Sequence, residues 1–242
     1  MEVKPFEDQQ GTRKEQVRDM FNEIASSYDF LNHFLSFNTD KRWRRKLVKK
    51  VKKEALNNPS NKILDVATGT GDLAFSLSKI SNTEITGIDL SVEMLNIAKK
   101  KSKKRKSQIK WMEGDSENLP FEDNQFDFVS VAFGVRNFED LQKGLDEMYR
   151  VLKVNGKLYI LEFSKSDKRV FSVLYSFYSK NILPKLASIF TREPRAYTYL
   201  PNSIEAFPSG KEMLRILQAS GFNQLSDKKL TAGIARIYRA VK

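Results

Sequence analysis

Apolar residues along this chain switch between two spacings. From residue 14 to 57 they recur three or four apart. Phe21, Ile24, Ala25, Tyr28 and Leu31 mark one helical face, and a strongly basic helix follows Asn38–Asp40. Asn57, Asn58, Pro59 and Ser60 break the pattern. Beyond them, short apolar runs at 62–67, 84–89, 109–113, 126–133 and 156–162 predict strands, and the segments 71–80, 91–106 and 138–152 carry helical spacing. Strands separated by helices in this way predict βαβ units and a parallel sheet. Residues 165–208 interleave aromatic and aliphatic residues with Lys, Arg and Pro, and read as an inserted helical cover with a long loop. Ser209 and Glu212 have capping-box spacing and predict a helix to about residue 220. Runs near 222–229 and 233–241 then predict a closing hairpin. The organisation expected is an N-terminal helical cap over 1–58 and a core over 59–242.

The first strand–loop–helix carries the most chemistry. In ILDVATGTGDLA (63–74), Gly69 and Gly71 let the backbone approach a ligand, and the following helix start supplies free amide donors. Asp89 ends the second strand, where a carboxylate can accept from ribose hydroxyls. The spacing Gly69-x-Gly71-x-x-Ala74 also fits a dinucleotide fingerprint, so it does not by itself separate NAD from S-adenosylmethionine (SAM). Asp65 stands where it can neutralise an amino acid's ammonium or orient the loop. Asp115 can accept from an adenine amino group, with Ser116 as a further polar contact. A ligand with adenine, ribose and amino-acid parts uses all of these positions.

Composition narrows the chemistry. The chain has no cysteine and one histidine, His33. That excludes disulfides, thiolate metal sites and a cysteine nucleophile, and counts against a histidine metal site or a Ser-His-Asp hydrolase. No metal is expected, and His33 reads as a packed or surface residue. The net charge of +12 is local: KRWRRKLVKKVKK (41–53) and KKKSKKRK (99–106) hold 16 basic residues and no acid, so the remainder is slightly acidic. Such runs meet phosphate, a membrane surface or only water. The start MEVKPFEDQQ lacks the apolar core of a signal peptide, and the longest apolar stretch is far below the ~18 residues that span a bilayer. A cytoplasmic protein is expected.

Three ordered segments resemble the ubiquinone/menaquinone biosynthesis C-methyltransferases, within the SAM-dependent class I methyltransferases. YDFLNHFLSFNTDKRW (28–43) looks like that family's Tyr-Asp-x-Met-Asn…Ser…Trp signature. AFGVRNFEDLQKGL (132–145) resembles its Phe-Gly-x-Arg-Asn segment, and RVLKVNGKLYILEFS (150–164) its second signature. The chain departs from the pattern at Asp40, where the family often has histidine, at Val154–Asn155 in place of Pro-Gly, and at Ala132, where some members have serine. The resemblance implies a Rossmann-like α/β fold: a seven-stranded, mostly parallel sheet with an antiparallel last strand, helices on both faces and the helical cap. It carries over Thr70, Asp89, Asp115 and Ser116 as cofactor contacts.

The resemblance further implies methyl transfer from SAM to a ring carbon of a demethylated prenyl-quinol, either demethylmenaquinol or a ubiquinone-precursor benzoquinol. Under it, Arg136 stabilises the developing phenolate and Asn137 orients the ring. Tyr28 and Asp29 close over the acceptor, Asp29 taking a proton through water; the alternatives are that Tyr28 is a core aromatic and Arg136 an ordinary surface ion-pair partner. Val170, Phe171, Leu174, Phe177, Ile182, Leu183, Leu186 and Phe190 either line a prenyl channel or form a plain amphipathic lid. The basic runs read first as solvated helix faces and next, because a prenylated quinol resides in the bilayer, as peripheral contact with an anionic membrane surface. RNA methylation is the main rival, but no Asn/Asp-Pro-Pro-aromatic motif follows the fourth strand, so no nucleic acid is expected. An NAD oxidoreductase would need Tyr149 and Lys153 as its Tyr-x-x-x-Lys pair, and these fall at a helix end.

Overall fold

A computed structural model describes residues 3–6, 10–56, 58–165 and 195–242. Two helices precede the sheet. α1 (Arg13–Leu35) opens with a reciprocal cap in which Thr12 and Glu15 satisfy each other's backbone N–H groups. α2 (Thr39–Ala55) follows a tight corner at which Phe37 and Asn38 both adopt positive φ. The core then alternates: β1 (Asn61–Val66), α3 (Asp72–Leu77), β2 (Thr83–Asp89), α4 (Val92–Arg105), β3 (Lys110–Glu113), β4 (Phe126–Ala132), α5 (Leu141–Val151) and β5 (Leu152–Phe163). α6 (Arg195–Ala206), α7 (Lys211–Ala219), β6 (Asn223–Leu230) and β7 (Ala235–Val241) complete it.

The strands form one sheet in the order β3-β2-β1-β4-β5-β7-β6. β7 runs antiparallel to both neighbours and the other pairings are parallel. This is the class I methyltransferase fold. Strand alternation splits the core into two layers. Leu64, Val66, Val129, Val131, Leu158 and Ile160 face α5 and α7. Ile63, Phe128, Tyr159 and Leu161 face the other way, against Trp43, Leu47 and Val51 of α2 and Leu73 and Leu77 of α3. The inner face of α1 packs Met20, Ile24 and Leu31 with Met94 of α4 and Tyr199 of α6. α1 thereby lies over the carboxyl ends of the parallel strands, while α2 covers one face of the sheet and brings only its start, at Asp40 and Arg44, to that end.

Three local expectations are corrected. Ser209 does not cap a helix. α7 starts at Lys211 behind Gly210, whose N–H donates to the Tyr238 hydroxyl at 2.9 Å, so a partner from across the sheet sets the helix entry. The helix expected from 138 begins at Leu141, because a 3₁₀ turn over Val135–Asn137 intervenes and Asp140 then caps the Lys143 N–H. β5 begins at Leu152 rather than 156, since Leu152 pairs with Phe126 before a register shift brings Lys157 opposite Phe128. Most of the segment 165–208, including all eight apolar residues assigned to a channel or lid, lies outside the described residues.

Candidate functional site

The site is built where β1 and β4 end. Ala67 (φ 50°) follows β1 and Phe133 (φ 61°) follows β4, both left-handed and neither glycine. Such backbone is costly and persists where the surroundings over-determine it. Gly134 makes the approach possible, because a Cβ there would come within 2.6 Å of the Ala67 Cβ. The two glycines of the loop differ in purpose. A Cβ at Gly69 would meet nothing within 4 Å, so the loop is open on that side. A Cβ at Gly71 would strike Trp111 at 2.5 Å and Phe75 at 3.0 Å, so that position serves packing.

Carboxylates hold the loop in place. Asp65 is buried and accepts from the Thr68 hydroxyl (2.6 Å) and the Ser130 hydroxyl (2.8 Å). It therefore orients the loop from beneath. Burial pushes its pKa up to about 6, with those hydrogen bonds pulling against the shift. Asp89 accepts the Gly69 N–H at 2.7 Å on one oxygen and the Ser91 N–H at 2.8 Å on the other. Burial raises its pKa as well, opposed by these backbone donors. Asp115 accepts the Glu117 N–H at 2.9 Å and pairs with Lys14 of α1 at 2.8 Å.

Three clefts meet at this point, and Tyr28 and Phe133 line all of them. The first, about 740 Å³, brings together Gly69, Asp89, Asp115, Ser116 and Asn137 beneath Phe21 of α1. The second, about 630 Å³, is mostly apolar, with Met20, Ile24 and Leu200 on its wall and Arg136 in its lining. The third, about 440 Å³, is polar and takes in Asp29, His33, Arg44, Asp65, Thr70 and Asp72. The donor and acceptor sets of the first and third clefts suit a ligand with adenine, ribose and amino-acid parts. The open side of Gly69 gives that ligand room against the backbone.

Arg136 is buried in an ion pair. Its Nη1 donates to Glu162 Oε1 at 2.9 Å and to the Phe133 carbonyl at 2.5 Å, and its Nε is buried without a hydrogen-bond partner. This is far from an ordinary surface pair. Arg13 of α1 donates to the Arg136 and Phe138 carbonyls, both at 2.6 Å, and Tyr199 donates to Asn137 Oδ1 at 3.2 Å. Tyr28 is a half-buried phenol whose pKa burial raises, with Arg136 and Arg44 pulling it down. Asp29 is placed in the third cleft rather than the second. It accepts the Thr70 hydroxyl at 2.5 Å and pairs with Lys101 at 2.5 Å.

Residue patterns did not single out Lys14, Arg44 or Lys101, yet all three face the site. Lys101 contacts Asp29, Asp72 (3.1 Å) and Thr70 (3.0 Å). It follows Met94 and Ala98 by seven and three positions on the buried side of α4, a spacing that was readable inside the lysine run. Arg44 pairs with Asp40 at 2.6 Å, and His33 bridges Asp40 (2.7 Å) and Asp72 (3.3 Å). Burial works against ionisation of Asp40, but Arg44, Ser36 and His33 hold its carboxyl below the ordinary value.

Comparison with known proteins gives a consistent picture. The model of the ubiE/COQ5 methyltransferase family matches residues 9–242. The chain is 46% identical over 226 residues to a demethylmenaquinone methyltransferase of Chlorobaculum tepidum, covering 93% of this chain and 92% of the relative. It is 42% identical over 243 residues to the protein of that name from Bacteroides fragilis, covering 99% and 97%. Among solved structures, a SAM-dependent methyltransferase from Thermotoga maritima, described as a possible histamine N-methyltransferase, superposes with a TM-score of 0.62. It is 21% identical, covers 93% of this chain and 99% of its own, and shares the fold.

Proposed function

Because the chain belongs to the ubiE/COQ5 methyltransferase family, we propose that it methylates a ring carbon of demethylmenaquinol, with SAM as the methyl donor. When bound, SAM supplies a methyl group made electrophilic by its sulfonium. The protein's task is to place the acceptor carbon in line, which is worth about 7–11 kcal/mol, and to make that carbon nucleophilic.

The donor's adenosine belongs in the first cleft. There the Gly69 and Ser91 N–H groups fix both Asp89 oxygens and leave lone pairs free for ribose hydroxyls. Asp115, Ser116 and Lys14 serve the adenine end. The third cleft, with Asp65 and Asp72 beside Arg44, takes the amino-acid end. Tyr28 and Phe133 stand between these and the second cleft, which receives the flat quinol ring against Met20, Ile24 and Leu200.

Arg136 in the lining of that apolar cleft, held from behind by the fully buried Glu162, is the observation that carries this reading. Ionising a quinol hydroxyl, whose proton passes to solvent water, activates the adjacent ring carbon, and a preorganised guanidinium favours the phenolate. The ring-carbon proton replaced by the methyl then leaves to water as the ring regains aromaticity. Asn137, tethered by Tyr199, orients the ring. Tyr28, its pKa raised, stays protonated at neutral pH and does not act as a base. Asp29 acts as a positioning residue that ties α1 to Thr70.

Among the described residues no helix is long and apolar enough to cross a membrane. We place the enzyme on the cytoplasmic side and assign it peripheral contact with the bilayer that holds its prenylated acceptor. The test of the site is Arg136→Ala. Turnover should fall by about 10²–10³-fold while SAM affinity, read by calorimetry, stays within about twofold. Loss of SAM binding in proportion to turnover would refute the assignment.

A further inference from the structure

We propose that the corner between α1 and α2, with the outer face of α2, is a docking surface for an anionic lipid bilayer. α2 has two unlike faces. Trp43, Leu47, Val51 and Ala55 are buried against the sheet layer. On the opposite side Arg42, Arg45, Lys46, Lys49, Lys52 and Lys53 are exposed, recurring three or four apart along the helix. The two acids of α2 do not dilute this stripe. Asp40 is buried among His33, Ser36 and Arg44, and Glu54 is held by Arg239 and Tyr159.

Three phenylalanines stand beside the start of this stripe. Phe30 and Phe34 share one face of α1 and Phe37 follows its end, and the three are 55%, 48% and 78% exposed. Phe37 (φ 50°) and Asn38 (φ 56°) form a left-handed corner, and the more costly of the two to place there is the aromatic one that solvent reaches. Exposed aromatic rings flanked by a cationic stripe match the two layers of a membrane surface, acyl boundary and anionic headgroups.

The position suits the acceptor. Tyr28, Asn32 and Ser36, from the same stretch of α1, line the second cleft together with Asp40 and Arg44 of α2. A bilayer met at this corner is therefore next to the pocket assigned to the quinol ring. A single-stranded nucleic acid fits less well. It needs open ring faces for stacking, whereas Phe30 and Phe34 stack on each other with centroids 5.7 Å apart and planes 9° from parallel. The inference gives the proposed bilayer-resident acceptor its route, and its test reads lipid binding without methyl transfer, so the two can fail separately.

The full chain is mixed with vesicles of phosphatidylcholine alone, or of phosphatidylcholine with an equal amount of phosphatidylglycerol, and followed by flotation. It should float with the anionic vesicles, lose them at high salt, and ignore the neutral ones. The double substitution Arg45→Glu and Lys49→Glu should weaken binding by about 30-fold or more, and Phe37→Ser by about tenfold. Both variants should keep wild-type circular dichroism and wild-type turnover on detergent-dispersed acceptor. Absence of binding to anionic vesicles, or variants that float like the wild type, would overturn the proposal. So would tighter binding to RNA than to vesicles that is lost in the same variants, which would make this face a nucleic-acid surface.

Discussion

Ala67 and Phe133 set the geometry on which the other site residues depend. Each is a side-chain-bearing residue in left-handed backbone, one at the end of β1 and the other at the end of β4. Neither is marked by its residue type, which is why strain at the centre of the site was not legible in the sequence. The acids were legible. Asp65, Asp89 and Asp115 end successive strands, and strand ends can be read from apolar runs. The ion pairs of Lys14 and Lys101 were not, since Lys14 meets Asp115, and Lys101 meets Asp29 and Asp72, only through the way α1 and α4 lie over the sheet. Lys101 is the cation between Asp29, Thr70 and Asp72. Lys101→Met leaves two carboxylates facing each other without it. SAM affinity measured by calorimetry should drop about tenfold, with kcat at saturating SAM changed less than about twofold. An unchanged affinity would return Lys101 to the solvated face with its neighbours.

At the scale of elements, α2 is joined to the sheet by more than apolar packing. Glu54 accepts from the Tyr159 hydroxyl at 2.6 Å and from Arg239 at 2.8 and 3.1 Å, and Lys157 lies within 3.3 Å. One carboxylate thus clamps the helix to β5 and β7. Burial works against its charge, but the Arg239 and Tyr159 hydrogen bonds hold the pKa down at about 2. A depressed carboxylate stabilises the fold above its unfolded-state value near 4.5, and the contribution disappears as pH falls toward 2. Glu54→Gln should therefore lower stability at neutral pH by about 1 kcal/mol, the screened value for a partly exposed pair. The gap from the wild type in urea unfolding should close between about pH 4.5 and 2. The periodicity of α2 showed its apolar face, but Glu54 reads locally as one more polar residue in a basic helix. The same blindness to distant partners explains Gly210. Ser209 and Glu212 have the spacing of a capping box, yet the Tyr238 hydroxyl on β7 receives the Gly210 N–H instead.

For the molecule as a whole, the strand order 3-2-1-4-5-7-6 reverses direction between β1 and β4. A doubly wound sheet opens a crevice at such a point, beyond the carboxyl ends of its strands. The three clefts lie there, roofed by the N-terminal helices. The fold was legible because each βαβ unit announces itself through short-range periodicity and turn residues. The roof was legible only as two helices, and its docking over the crevice is a tertiary fact. That docking gives the net charge of +12 its internal structure. Arg44 and Lys101 leave the basic runs for the site, while the exposed remainder of α2 forms an outward stripe.

Carbon methylation of the quinol ring is the claim on which the whole arrangement rests, and the fate of the methyl group tests it most directly. The purified chain is incubated with SAM carrying carbon-13 in its methyl group, demethylmenaquinol and, in a competing arm, a demethylated benzoquinol and RNA. Carbon-13 NMR of the extracted products then locates the label. The predicted result is a methyl bonded to a ring carbon of the naphthoquinol, formed about 10²–10³-fold more slowly with Arg136→Ala. Label recovered as a methyl ether, or on RNA while the quinol stays unlabelled, would contradict the account.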